Sequence, residues 1–73
     1  MLTLLPSLPR LRAVRIARAL SQAELAQRSG VSRVSITRLE SGDVDARFAT
    51  IRKLAEALGV EPRDLMAPDE SAA

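Results

Sequence analysis

Apolar residues recur along the chain at intervals of three and four, in short runs with a break after each. Between Leu11 and Leu20, the apolar Ala13, Ile16, Ala17 and Leu20 fall on one side of a helix and Arg12, Arg15 and Arg18 on the other. This is the pattern of a helix with one buried stripe. Ser21 then places a hydroxyl ahead of a fresh run, and Glu24 three positions on completes an S-x-x-E capping box. The spacing predicts a second helix from about Gln22 to Ser29, ended by Gly30, which is free to take a positive φ. Val31 turns inward, Ser32 caps the next start, and a third helix covers about Arg33 to Ser41 before Gly42. Phe48, Ile51, Leu54, Ala55 and Leu58 carry a fourth helix up to Gly59. Pro62 suits the first turn of a short fifth helix bearing Leu65 and Met66.

No stretch alternates with period two over more than a few residues, and the single aromatic residue is Phe48. An all-α domain follows, built on aliphatic and alanine contacts. At 73 residues it is one small domain, burying about 60% of the surface that its unfolded chain exposes. The chain has no cysteine and no histidine, so neither a disulfide nor a zinc cluster staples the fold. No metal or cofactor is expected. The missing cysteines fit a reducing cytoplasm.

Charge divides the chain in two. Residues 1–40 carry seven arginines against Glu24 and Glu40, a net +5, whereas residues 41–73 carry a net −3. A basic half on a small domain favours a polyanionic partner. The first residues, MLTLLPSLPR, are apolar but begin without positive charge, contain Pro6 and Pro9, and are too short to span a bilayer. Residues 1–9 are therefore expected to form an apolar arm, residues 10–67 the folded domain, and residues 68–73 a frayed tail.

Residues set 100° apart around the third helix put Ile36 and Leu39 together on its core side. Arg33, Val34, Thr37, Arg38 and Ser41 then share the opposite face. That face is polar apart from Val34 and led by an arginine. A helix of this kind fits the major groove, where arginine pairs bidentately with guanine and the methyls of valine or threonine touch thymine.

At this point the segments LRAVR, LSQAELAQRSGVSRVSITRLESG and TIRKLAEALGV, in this order and spacing, resemble the phage repressor and Cro family of helix-turn-helix proteins, also called the Xre type. The resemblance covers Leu11 to Leu65. It implies a compact five-helix, lambda-repressor-like DNA-binding domain and a transcriptional regulator of double-stranded DNA. It also implies phosphate contacts from Gln22, Ser32 and Ser41, and base-facing positions at Arg33, Val34, Thr37 and Arg38. Arg15 and Glu40 match an ion pair that joins the first helix to the end of the recognition helix in some members. The chain departs from the family at the acidic Asp43 and Asp45 and at Ala46, and Asp45 is expected to cap the fourth helix.

The expected function is that of a cytoplasmic, sequence-specific regulator binding a palindromic operator as a homodimer, with Leu2, Leu4, Leu5, Leu8, Leu65 and Met66 as candidate dimer residues. The alternative is an antitoxin-like module that grips a partner protein such as a toxin through its apolar arm or its tail, with DNA binding secondary. No membrane partner is expected. Catalysis is disfavoured, because histidine, cysteine, tyrosine and tryptophan are all missing.

Overall fold

The computed structural model describes residues 7–66. Four α-helices follow one another, α1 Leu11–Ala17, α2 Gln22–Ser29, α3 Arg33–Ser41 and α4 Phe48–Leu58, and Pro62–Leu65 make one 3-10 turn. No strand occurs among the described residues. The segment expected as a fifth helix is thus that single turn. Pro62 opens it, Glu61 and Asp64 box its start, and the backbone is already extended at Met66. Four residues are too few to propagate an α-helical ladder.

The first helix is also shorter than the spacing predicts. It ends at Ala17, and the chain reverses through Ala19 at φ 58, the one non-glycine residue with positive φ among those described. That reversal carries Leu20 back into the core, with 9% of its surface exposed. The left-handed conformation costs a residue with a Cβ about 1 to 2 kcal/mol, partly offset by glycine's freer unfolded chain. Ala19→Gly is therefore expected to stabilise the domain by about 0.5 to 1 kcal/mol. Urea denaturation checks this, and an unchanged or lower midpoint would contradict it.

The core gathers Leu11 from α1, Leu25 from α2, Ile36 and Leu39 from α3, and Ile51, Leu54, Ala55 and Leu58 from α4. α2 packs on both α3 and α4, while α4 and α1 each pack on the terminal turn. Two side-chain placements differ from the spacing-based expectation. On α1 the buried residues are Leu11 and Arg15, whereas Ala13 and Ala17 are exposed and Ile16 keeps 53% of its surface. The helix is rolled so that the Arg15 guanidinium meets its partner inside. On α4, Phe48 is 58% exposed. Side chains lean towards a helix's amino terminus, so the first residue of α4 reaches past the core instead of into it.

Leu8 and Leu65 are both buried in the domain's own core. Neither is available as a dimer surface. The amide of Arg10 donates to the Leu65 carbonyl at 3.3 Å, and that of Leu11 to Leu8 at 3.2 Å, so the entering segment lies against the terminal turn. Leu2, Leu4, Leu5 and most of the expected arm and tail lie outside the described residues.

Candidate nucleic-acid interface

The turn between α2 and α3 is built from local polar contacts. Ser21 Oγ accepts from the Glu24 amide at 3.0 Å, and the Ser21 amide donates to Glu24 Oε1 at 2.8 Å. The backbone donor of Ser21, and then its hydroxyl, hold the Glu24 carboxyl below the usual glutamate range. At the far end Gly30 takes φ 78, and its amide returns to the Ala26 carbonyl at 2.9 Å. The Val31 amide donates to Ser29 Oγ at 3.1 Å, which fixes the chain's path into α3. Ser32 Oγ accepts from the Ser35 amide at 3.1 Å and donates to Ser35 Oγ at 2.9 Å. The hydroxyl of Ser32 is thus occupied in starting α3.

α3 buries Ile36 and Leu39 and leaves Arg33, Val34, Thr37, Arg38 and Ser41 exposed. Val34 retains 65% of its surface. Ser41 Oγ donates back to the Arg38 carbonyl at 3.1 Å, and Gly42 at φ 81 ends the helix.

Beneath this outer face lies a connected polar network. Arg15 Nε donates to Glu40 Oε2 at 2.6 Å, and Nη2 donates to Oε1 at 3.0 Å. Arg15 Nη1 donates to the Leu20 carbonyl at 2.7 Å. The side chains of Arg15 and Glu40 expose only 10% and 4% of their surface. Gln22 Nε2 donates to the same Glu40 Oε1 at 3.0 Å, and Gln22 Oε1 accepts from Thr37 Oγ1 at 3.0 Å. Burial pushes the Glu40 carboxyl up. The hydrogen bonds from Arg15 and Gln22 and the charges of Arg15 and Arg12 outweigh it, so the group titrates below the ordinary glutamate range. The bond to Glu40 likewise raises Arg15, against the opposing effect of its burial. No buried side-chain polar atom among the described residues lacks a partner.

Helical spacing gives no sign that Gln22 joins Glu40 and Thr37. They meet only because the start of α2 lies across α3. A clue was present in the polar Gln22 sitting where the helix meets its neighbour, but the partners are 18 and 15 residues away.

The loop before α4 departs from expectation. Arg47, not Asp45, occupies the cap position of α4, and no side chain caps that end. Asp43 and Asp45 are both exposed, and the Asp43 amide donates to the Arg38 carbonyl at 3.0 Å. The extended backbone at Arg47 puts the cap position two residues beyond Asp45, too far for its short side chain. Among the described residues no group of three or more acidic, histidine or cysteine side chains gathers as a metal site. No helix among them is long and apolar enough to cross a membrane.

A family model described as Helix-turn-helix matches residues 11–65. No curated protein matches the chain significantly. Among solved structures, the chain is 44% identical to the restriction-modification controller protein C.AhdI from Aeromonas hydrophila. The TM-score is 0.75, over 78% of this chain and 86% of that one. It is 29% identical to the hypothetical transcription factor NHTF from Neisseria, with a TM-score of 0.72 over 97% of this chain and 90% of that one. Streptomyces albus HEPD, solved with its substrate 2-hydroxyethylphosphonate and Fe(II), is 38% identical with a TM-score of 0.78. That match takes in 92% of this chain but 16% of HEPD.

Proposed function

Because the chain belongs to the phage repressor and Cro type of helix-turn-helix family and resembles a restriction-modification controller protein and a hypothetical transcription factor, we propose that it regulates transcription by binding a palindromic operator as a homodimer with α3 in the major groove. Half-sites would then lie about 34 Å apart, one helical turn. Residues 10–67 would form the DNA-binding unit, with Leu8 completing its core.

The observation that carries this reading is the outer face of α3, where Arg33, Val34, Thr37 and Arg38 stand exposed on a helix held in place by Ile36 and Leu39. In this arrangement Arg33 would reach a base edge from the first turn, with Val34, Thr37 and Arg38 beside it. Gln22, at the start of α2, would meet a phosphate, aided by the positive end of α2. Ser32 and Ser41 would join it by turning their hydroxyl protons away from Ser35 Oγ and the Arg38 carbonyl. The Gln22 amide has one Nε2–H beyond the one given to Glu40, so its internal bond leaves a donor for this contact.

Selection of bound duplexes from a random pool tests the proposal, with a recovered palindrome as the expected result. Arg33→Ala should lose about 1 to 3 kcal/mol of discrimination at one base pair. Gln22→Ala should weaken all duplexes alike. An Arg33→Ala protein matching wild type on both cognate and scrambled duplexes would sink the assignment. A pool that yields nothing even at low salt would favour a protein-binding role, since non-specific binding should appear there.

A further inference from the structure

The network under α3 has a direction. Every N–H of Arg15 is a donor, and a carboxylate only accepts, so Glu40 is the sink of the chain. Glu40 Oε1 takes a hydrogen bond from Gln22 at 3.0 Å, which turns the amide so that its NH2 end faces the carboxylate. The carbonyl end of Gln22 must then face Thr37. Thr37 Oγ1 lies 3.0 Å from Gln22 Oε1 and 3.0 Å from the Arg33 carbonyl oxygen. Both neighbours only accept, and the hydroxyl has a single proton. That proton is committed inward whichever acceptor holds it. What Thr37 turns outward, on the exposed face of α3, is lone-pair density and its methyl group.

We propose that Glu40 acts as a positioning residue that holds the Gln22 amide with its oxygen towards Thr37, so that no internal donor occupies the Thr37 lone pairs, and that Thr37 thereby selects a base presenting an exocyclic amino group. In the major groove those groups are adenine N6 and cytosine N4, whereas guanine and thymine present only acceptors there. This rests on the DNA-binding reading above and adds the chemical class of base read at one position. It also gives the buried ion pair a part in specificity beyond holding α1 to α3.

Duplex selection with wild type, Thr37→Val and Glu40→Gln tests the proposal. The position read by Thr37 is the one where the wild-type and Thr37→Val profiles diverge, and dissociation constants for all four base pairs are then measured there. Wild type is expected to favour adenine or cytosine on the facing strand by about tenfold. Valine has the same shape without the acceptor, so Thr37→Val should lose that preference. Glutamine at position 40 both donates and accepts, which lets the Gln22 amide turn over and donate to Thr37 Oγ1, occupying the acceptor, so Glu40→Gln should flatten the same position. Gln22→Leu removes the amide without touching the ion pair, and because the Arg33 carbonyl still takes the Thr37 proton it must keep the preference while binding every duplex more weakly; loss of the preference in this variant would overturn the proposal.

A Thr37→Val protein that keeps the preference would overturn the proposal, because the methyl would then be the reading group. A wild-type preference for guanine or thymine at that position would do so as well. Duplex binding whose sequence preference is indifferent to Thr37 rejects this inference alone. Absence of any duplex binding at low salt rejects the DNA-binding reading and this inference with it.

Discussion

Arg15→Ala is expected to destabilise the domain by about 3 to 5 kcal/mol, because it leaves the Glu40 carboxylate buried without its cation. It also strips the Leu20 carbonyl of the donor at 2.7 Å, at the turn that reverses the chain after α1. A domain of this size has a total stability of roughly 4 to 11 kcal/mol at 0.05 to 0.15 per residue. The loss would therefore consume much of what holds the fold together. Urea denaturation followed by circular dichroism measures it, and a shift below about 1 kcal/mol would mean that the pair behaves as a solvated surface bridge. Replacing both partners together, as Arg15→Met with Glu40→Leu, should be far milder, since no charge is then stranded. The pH dependence carries the same signature. Glu40 titrates below its ordinary value of 4.5 in the folded protein. Its contribution is thus complete above that value and is lost as pH falls through the lowered folded value. Arg15→Ala should remove that part of the acid sensitivity.

Leu25→Ala should cost about 2 to 5 kcal/mol, through lost burial plus the cavity left behind. Leu25 is fully buried on α2, the helix that packs on both α3 and α4. A void there loosens the seat of α3 without altering any side chain on its outer face. The expected result is a lower melting temperature and weaker binding to every duplex, with the order of preferred bases unchanged. Saturating duplex should restore part of the melting temperature, because a ligand of the native state shifts the equilibrium by mass action. Wild-type melting behaviour in this variant would show that the core tolerates the cavity by collapsing on it. A changed base preference would mean that Leu25 sets the pose of α3, not merely its stability.

What the sequence made legible is the chemistry that acts over four residues or fewer. The Ser21 and Glu24 box, the cap at Ser32 and the left-handed stops at Gly30 and Gly42 follow from neighbours in the chain, and all form. Ile36 and Leu39 were equally readable, because a nine-residue helix with two strongly apolar positions on one side has one way to face a core. α1 departs from its periodicity for the opposite reason. Its inward face is chosen by Arg15, and the carboxylate that makes burying an arginine tolerable sits 25 residues away. No local periodicity reports that. Phe48 misled because an aromatic residue in register looks buried, whereas its place at the first position of α4 puts it beyond the core's edge. The polarity that runs from Thr37 through Gln22 to Glu40 depends on three helices being in place at once, so it could be found only in three dimensions.

The contact between the Arg10 amide and the Leu65 carbonyl joins the beginning of the domain to its end. The fold is therefore close to a ring with a seam. Residues 10 and 65 lie side by side, so drawing them apart would open that seam.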